Sequence, residues 1–364
     1  MTNSRRRILI MAGGTGGHVI PALSLAHALQ AKGVDVEWLG SPRGIENQLV
    51  PKAGILLHTI AIGGLRGKGL AGWCKAPLNL SKAVLQARRV IQRFKPDVVV
   101  GLGGFASGPG GLAAWLSRVP LVIHEQNAVA GLTNKVLSRL ATRTYAAFDD
   151  AFGRRAEVIG NPVREEIAAL GECPRQTTEL KGRPLRLLVV GGSLGAVALN
   201  ERLPAALAAL PPERRPDVRH QAGKERDVAT AQAYAERGIV ADVSPFIDDM
   251  AAAYAWADLV VCRAGALTVA ELAAAAKPAL LVPFPFAVDD HQRVNADVLV
   301  KAGAAQCVVQ SALTPERLTR LLDELLDPDR LADMASKARQ AAHLDATERL
   351  AAGCLGLAKQ GETA

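Results

Sequence analysis

Met11-Ala12-Gly13-Gly14-Thr15-Gly16-Gly17-His18 follows the apolar run Ile8-Leu9-Ile10 and precedes a helical pattern that begins near Pro21. A short buried strand, a glycine-rich turn and a helix N-terminus, in that order, leave unpaired backbone N–H groups at the end of a sheet, where they can hold an anion. His18 adds a titratable group whose reference pKa lies near neutrality. Two common phosphate loops fail on spacing. Counted from Gly14 and Gly16, the dinucleotide pattern G-x-G-x-x-G needs a glycine where Val19 stands, and the next strand, Val34–Leu39, ends in Gly40-Ser41 rather than in a ribose-binding acid. No glycine cluster in the chain is followed by Lys-Ser or Lys-Thr, which removes the P-loop of nucleotide hydrolases. Taken alone, the glycines are also accounted for by a tight turn with no ligand.

The same unit recurs along the chain. Ile8–Ala12, Val34–Leu39, Ile55–Ile62, Asp97–Leu102, Pro120–His124 and Ala156–Gly160 read as strands, and Pro21–Lys32, Leu80–Phe94 and Gly110–Ser117 have helical length and spacing. After the polar stretch Glu165–Pro184 the pattern restarts with the strand Leu185–Val190, the glycine loop Gly191–Ala196 and the helix Val197–Leu210. Further strands are expected at Val218–Gln221, Ile239–Val243, Asp258–Cys262, Ala279–Pro283 and Ala305–Val309. Continuous apolar strands alternating with helices imply parallel sheets covered on both faces. The expected fold is therefore α/β, with two Rossmann-like domains, 1–161 and 165–340, whose parallel sheets face one another across a cleft, ligands lying at the C-terminal ends of the strands. The helical segment after Pro328, from about 342 to 360, is expected to pack back on the first domain.

The chain of 364 residues is too long for one core, and its 49% hydrophobic and 21% charged content is that of an ordinary globular protein. The longest apolar stretch, Ala264–Val288, is broken by Glu271, Lys277 and three prolines, so no membrane span is expected. The apolar run after the basic start Met1–Arg7 is too short for a secretory signal and reads as the first strand of a cytoplasmic protein. Five cysteines, at 74, 173, 262, 307 and 354, are odd in number and show no metal-ligand spacing, as expected of free thiols in a reducing compartment. Charge is unevenly spread: residues 1–160 hold 20 Lys and Arg against 8 Asp and Glu, whereas residues 161–364 hold 23 against 27. A basic first half points to an anionic partner, whether nucleic acid, lipid or substrate.

Other motifs carry polar groups to strand ends. Gly101-Leu-Gly-Gly-Phe-Ala-Ser-Gly-Pro-Gly-Gly111 allows a backbone or a bulky anion to approach closely. His124-Glu-Gln-Asn127 sets four polar side chains at a strand end, where they serve either a ligand or the loop's own backbone groups. In the second half, Cys262-Arg-Ala-Gly-Ala-Leu-Thr268 ends a strand and opens the helix Val269–Ala276, so that its first-turn N–H groups and the Thr268 hydroxyl can hold a diphosphate, as can Ser193. Glu271 can accept from a ribose diol or simply favour the helix dipole. Pro283-Phe-Pro-Phe286, followed by Asp289-Asp-His-Gln292, reads as a ligand-contacting loop.

Together these stretches resemble the bacterial MurG family of N-acetylglucosaminyltransferases. The resemblance rests on GGTGGH at 13–18, GLGGFASGPGG at 101–111, HEQN at 124–127, GNPVR at 160–164, VVGGS at 189–193, the run 246–272 and DDHQ at 289–292, and extends in the same order from about residue 7 to about residue 350. It implies the glycosyltransferase B fold. It also implies inverting transfer of GlcNAc from UDP-GlcNAc to the C4 hydroxyl of MurNAc in lipid I (undecaprenyl-pyrophosphoryl-MurNAc-pentapeptide), giving lipid II for the peptidoglycan wall. Carried over by motif, Thr15, Gly16 and Gly17 line the site from the first domain and Asn127 lies near the sugar or acceptor. Arg164 and Ser193 meet the donor diphosphate, the backbone at Ile247 meets the uracil, and Ala266, Leu267, Thr268, Val269, Ala270 and Glu271 wrap phosphate and ribose, Glu271 on the ribose hydroxyls. Gln292 reads the GlcNAc hydroxyls. Leu194 departs from the Gln found in many members, which puts a side-chain contact there in doubt.

The chemistry needs a general base at the acceptor hydroxyl and stabilisation of a departing diphosphate. His18 is the leading candidate for the base and Glu125 the second, although His18 is equally suited to holding acceptor diphosphate. Helix N-termini and Arg164 can meet the leaving group without a metal; the one D-x-D, Asp327-Pro-Asp329, reads as a helix start, and neither metal nor cofactor is expected. Trp73, Leu78, Leu80 and Trp115, interspersed with Lys68, Lys75, Lys82, Arg88 and Arg89, suggest peripheral contact with an anionic membrane surface, the cytoplasmic face of the inner membrane; the alternative is core tryptophans beneath a solvated charged face. Protein partners from cell-wall synthesis or division are compatible with the resemblance. Nucleic acid is not an expected partner, since aromatic content is only 4% and no binding module is present. The remaining rivals are a UDP-sugar epimerase or a transferase for another acceptor on the same architecture, and an inactive membrane scaffold.

Overall fold

The computed structural model describes residues 5–63, 69–149, 151–192, 195–287 and 290–358, the side chains of 69–75 and 154 excepted. The chain divides into two compact units, one of Met1–Arg164 with His343–Ala364 and the other of Glu165–Ala342.

In the first unit β1 (Arg7–Met11), β2 (Asp35–Gly40), β3 (Leu56–Thr59), β4 (Val98–Gly101), β5 (Leu121–Glu125), β6 (Arg143–Ala146) and β7 (Glu157–Val158) form one parallel sheet in the order β3-β2-β1-β4-β5-β6-β7. Side chains on a strand alternate between faces, so an uninterrupted apolar strand feeds two cores. Ile8 and Ile10 join Trp38, Val98 and Val100 in one cluster, whereas Leu9 and Met11 join Leu39, Val99 and Ile123 in the other. Helices α1 (Gly16–Ala31), α2 (Glu46–Lys52), α3 (Gly69–Phe94), α4 (Ser107–Leu116) and α5 (Leu132–Leu137) follow successive strands. β6, a short strand with its first two residues not buried, has no alternation long enough to mark it in the sequence.

The second unit repeats the topology. β8 (Arg186–Val190), β9 (Asp217–Gln221), β10 (Ala241–Ser244), β11 (Leu259–Cys262), β12 (Ala279–Leu281) and β13 (Ala305–Cys307) are parallel in the order β10-β9-β8-β11-β12-β13. The helices are α6 (Glu165–Ala168), α7 (Thr177–Leu180), α8 (Val197–Ala208), α9 (Asp227–Ala235), α10 (Met250–Trp256), α11 (Ala266–Ala274), α12 (His291–Lys301), α13 (Pro315–Leu325) and α14 (Pro328–Gln340). The last helix, α15 (Ala346–Ala358), belongs to the first unit, where Leu350, Ala351, Cys354 and Leu357 pack in the cluster shared with α1.

Each sheet begins at its centre and grows first to one side, then to the other. The order reverses between β1 and β4 in the first unit and between β8 and β11 in the second, and ligands of open α/β sheets bind at such switch points, beyond the carboxyl ends of the strands. All four loops that leave those strands are glycine-bearing.

Candidate active site

The first loop is shorter than its sequence suggests. The helix begins at Gly16, not near Pro21, because Thr15 is extended (φ −111°, ψ 164°) and its carbonyl accepts from the N–H of His18 (3.1 Å) and of Val19 (3.2 Å). Pro21 is accommodated inside the helix, where it removes one N–H donor close to the N-terminus. Gly16, Gly17 and His18 therefore form the first turn of a sixteen-residue helix, with the exposed Thr15 at its cap, and the helix's N-terminal dipole lies at this turn.

The glycine run after β4 is there for backbone approach. Gly104 has φ +85°, and a Cβ on it would lie 2.4 Å from the Gly13 carbonyl oxygen and 2.7 Å from its nitrogen. Gly103, at φ +100°, is packed against His18, since a Cβ there would fall 2.5 Å from the imidazole Cδ2. The two switch-point loops thus lie against one another, and the imidazole is seated by the second.

A buried carboxylate outside every sequence motif holds the first loop. Glu46, at 0% exposure, accepts from the N–H of Gly14 (2.9 Å) and from the N–H (3.1 Å) and hydroxyl (2.8 Å) of Ser41. Its Oε1 would be 2.5 Å from a Cβ on Gly13, so a side chain there would have to displace the carboxylate. These bonds join residues 32 apart in the chain at Gly14, a distance at which no local pattern signals them.

The HEQN motif at the end of β5 serves mainly its own loop. Glu125 accepts from Asn127 N (3.0 Å) and Nδ2 (3.2 Å) on one oxygen, and from Gly131 N (3.2 Å) and Asn134 Nδ2 (2.8 Å) on the other. This buried carboxylate organises the loop; the half-buried Asn127 is the member of the motif it holds toward the surface. His124 is fully buried with Nε2 2.9 Å from the Gly160 carbonyl, and burial lowers its pKa to about 4 against the upward pull of that carbonyl and of Glu125. It is a neutral core histidine that donates through Nε2. Arg164 is half-buried at the end of the first unit.

In the second unit, Ser193 and Leu194 lie outside the described residues, but the loop around them is anchored by Gln221, the last residue of β9, where the sequence shows only a strand. Its Oε1 accepts from Gly192 N (2.9 Å), and its Nε2 donates to the carbonyls of Gly192 (2.9 Å) and Pro245 (3.0 Å). Gln221 thereby ties the glycine loop to the loop after β10, which carries Phe246, exposed, and Ile247, half-buried.

Helix α11 starts three residues before its expected first residue, with Gly265 extended at its cap, so Ala266, Leu267 and Thr268 form its first turn and Val269 and Ala270 follow. Glu271 is buried, and the Tyr254 hydroxyl lies 3.4 Å from its Oε2. Arg263, just before the cap, donates to the carbonyls of Val282 (3.1 Å) and Pro283 (3.2 Å) and to Gln310 Oε1 (2.6 Å), and its guanidinium covers the Phe284 ring. Gln292 reaches the same proline loop, its Oε1 accepting from Phe284 N (2.9 Å). Of the D-x-D sequence, Asp327 caps α14 by accepting from Arg330 N (2.8 Å) and Asp329 pairs with Lys181. Among the described residues no group of three His, Cys, Asp or Glu is placed to hold a metal ion.

Residues 8–146 match the glycosyltransferase family 28 N-terminal domain and residues 186–350 its C-terminal domain. Over 350 residues, 96% of each chain, the sequence is 68% identical to the UDP-N-acetylglucosamine--N-acetylmuramyl-(pentapeptide) pyrophosphoryl-undecaprenol N-acetylglucosamine transferase of Chromohalobacter salexigens. The crystal structure of Acinetobacter baumannii MurG is 44% identical, covers 96% of this chain and 99% of its own, and superposes with a TM-score of 0.83. The chain belongs to the MurG family. Its fold, two parallel-sheet α/β domains, is the glycosyltransferase B fold, and it extends to the calicheamicin glycosyltransferase CalG4 at a TM-score of 0.68 and only 15% identity. At that distance the likeness is one of fold alone.

Proposed function

We infer that this chain transfers GlcNAc from UDP-GlcNAc to the C4 hydroxyl of MurNAc in lipid I, forming lipid II, with inversion at the anomeric carbon and without a metal ion. The observation that carries the reading is the 68% identity, over 96% of both chains, to a transferase named for that donor and acceptor. The geometry supports a division of labour. Donor residues collect on the second unit: the first turn of α11 offers N–H groups to the diphosphate, Glu271 the carboxylate for the ribose, and Gln292 an NH2 group for the GlcNAc hydroxyls. Ser193 and Arg164 complete the diphosphate contacts. The backbone at Ile247 reads the uracil, for which the exposed Phe246 ring beside it provides a stacking face.

The acceptor belongs to the first unit, with Thr15, Gly16 and Gly17 at the helix N-terminus drawing in the diphosphate of lipid I and Asn127 meeting the sugar. His18 takes the proton. As the C4 oxygen bonds to C1 from the face opposite UDP, the C1–O bond to the β-phosphate breaks, the hydroxyl proton passes to the imidazole, and the leaving diphosphate gains one negative charge. Helix N-termini and Arg164 answer that charge, so no Lewis acid is required. Glu125, with both oxygens occupied by loop donors, is the less suitable base and acts as the support of Asn127.

The membrane side of the proposal rests on α3, α4 and α5, which pack in sequence. Leu78, Leu80 and Leu85 on α3, Trp115 on α4, and Leu132 and Val136 on α5 are all at least 43% exposed. Lys82, Arg88 and Arg89 stand exposed among the leucines of α3, while Trp73, Lys68 and Lys75 fall outside the described side chains. Exposed leucine and tryptophan mixed with cations suit peripheral binding to anionic lipid on the cytoplasmic face of the inner membrane. Among the described residues no helix is long and apolar enough to cross a membrane.

Product analysis tests inversion and metal independence. With a lipid I analogue and UDP-GlcNAc in excess EDTA, the expected product is a β-linked GlcNAc-MurNAc disaccharide formed at an undiminished rate. An α linkage would refute inversion, and loss of turnover restored by Mg²⁺ would refute metal independence.

A further inference from the structure

The second unit has another polar feature, at the end of its sheet opposite the glycine loops. Asp258 immediately precedes β11 and Lys277 stands two residues before β12, so both sit at the N-terminal edge of the parallel strands. A pocket of about 140 Å³ opens beside them, with Leu170, Leu180, Ala255 and Leu331 in its wall together with Arg175 and Lys277.

Several charges meet beside it. The Asp258 carboxylate, fully buried, accepts from Arg175, from Arg183 Nη1 (2.7 Å) and Nη2 (3.0 Å), and from Arg186 N (2.9 Å). Arg175 also donates to the carbonyls of Ala255 and Trp256. Lys277 is only 7% exposed, and its Nζ makes one hydrogen bond among the described residues, 3.0 Å to the Ala257 carbonyl. An ammonium has three donors, and a buried cation with donors left over is costly unless an anion reaches it. Arg175, Arg183 and Lys277 thus gather about the Asp258 carboxylate, with Asp217 and Glu179 also close to Arg183. Burial, with the charge of Arg175, brings the Lys277 pKa down to about 8, Asp258 opposing.

We propose that this pocket is a binding site for a small carboxylate with a compact apolar body, the carboxylate on Lys277 Nζ and the body against Leu170, Leu180 and Leu331. An apolar cavity of about 150 Å³ takes a molecule the size of benzene, so in this partly open pocket benzoate is a suitable probe, its ring filling the apolar part and its carboxylate reaching Lys277. No residue of the pocket belongs to the donor or acceptor sites, and the site stands independently of the transfer reaction.

Mass spectrometry of the full-length protein tests it. Lys277, partly neutral near its lowered pKa, reacts with an acetylating reagent, and benzoate should protect it saturably, at least tenfold at saturation, while benzyl alcohol and inorganic phosphate should not. By calorimetry the Lys277→Met variant should lose benzoate binding. Absence of saturable protection, equal protection by benzyl alcohol or by phosphate, or wild-type affinity in Lys277→Met would overturn the proposal; the protection measurement on the natural chain stands even where the variant fails to fold.

Discussion

His18 and Glu46 act on the same loop from different parts of the chain, and only one is visible in the sequence. The GGTGGH motif exposes His18 because the glycines and the imidazole are adjacent in sequence. Glu46 acquires its place only when the loop between β2 and α2 folds against Gly14, as Gln221 does when β9 brings it beside Gly192. Replacing His18 by alanine should lower turnover roughly 10²- to 10⁴-fold, the usual worth of a positioned general base, with UDP-GlcNAc affinity nearly unchanged by calorimetry. Equal losses in both would move the loop to the donor side. Glu46→Gln presents an amide NH2 to donors that now meet a carboxylate. It should cost about 1–3 kcal/mol in denaturant titration, as leaving buried donors unsatisfied does, and lower turnover through the displaced Gly14. Wild-type stability and rate would remove Glu46 from the support of the loop.

Elements carry the next set of consequences. Continuous apolar runs are enough to read most strands, and the glycine loops mark where helices begin to within a few residues. They cannot show that Thr15 and Gly265 are extended caps, because cap geometry depends on backbone angles that several residue types adopt. Gly104 illustrates how tightly two of these loops meet: alanine there must adopt φ +85° and drive its Cβ into the Gly13 backbone. Gly104→Ala should therefore destabilise the first unit by more than the roughly 1 kcal/mol of an ordinary Gly-to-Ala strain, seen as a lower denaturation midpoint, and turnover should fall with it. On β5, His124 stays neutral in the folded chain down to about pH 4 but titrates at 6.5 when unfolded. The unfolded state binds more protons between those values, so stability is lost as pH falls through the window, by roughly 3 kcal/mol at full extent. In chemical denaturation, His124→Gln should close part of its stability gap to wild type on going from neutral pH to about pH 4.5; a gap independent of pH would contradict the assignment of His124 as a buried neutral group. For the α3 to α5 face, flotation with vesicles should depend on anionic lipid, and Lys82→Glu with Arg89→Glu should weaken it severalfold; insensitivity to both would leave those leucines as ordinary exposed surface.

At the scale of the whole molecule, the repeated strand, glycine loop and helix foretold two α/β units, and the strand order supplied what spacing could not: the two switch points where the motifs gather. The units have separate sheets and separate cores. The motifs proposed for the acceptor fall in the first and those proposed for the donor, Arg164 excepted, in the second, and the proposed transfer needs both sets. Incubation with labelled UDP-GlcNAc and a lipid I analogue, following UDP release together with label in the lipid, examines that reaction directly. One UDP should be released for each labelled disaccharide, and UDP-GalNAc should give little or none. Release of UDP without label in the lipid, or transfer from other UDP-sugars but not from UDP-GlcNAc, would contradict the assigned activity.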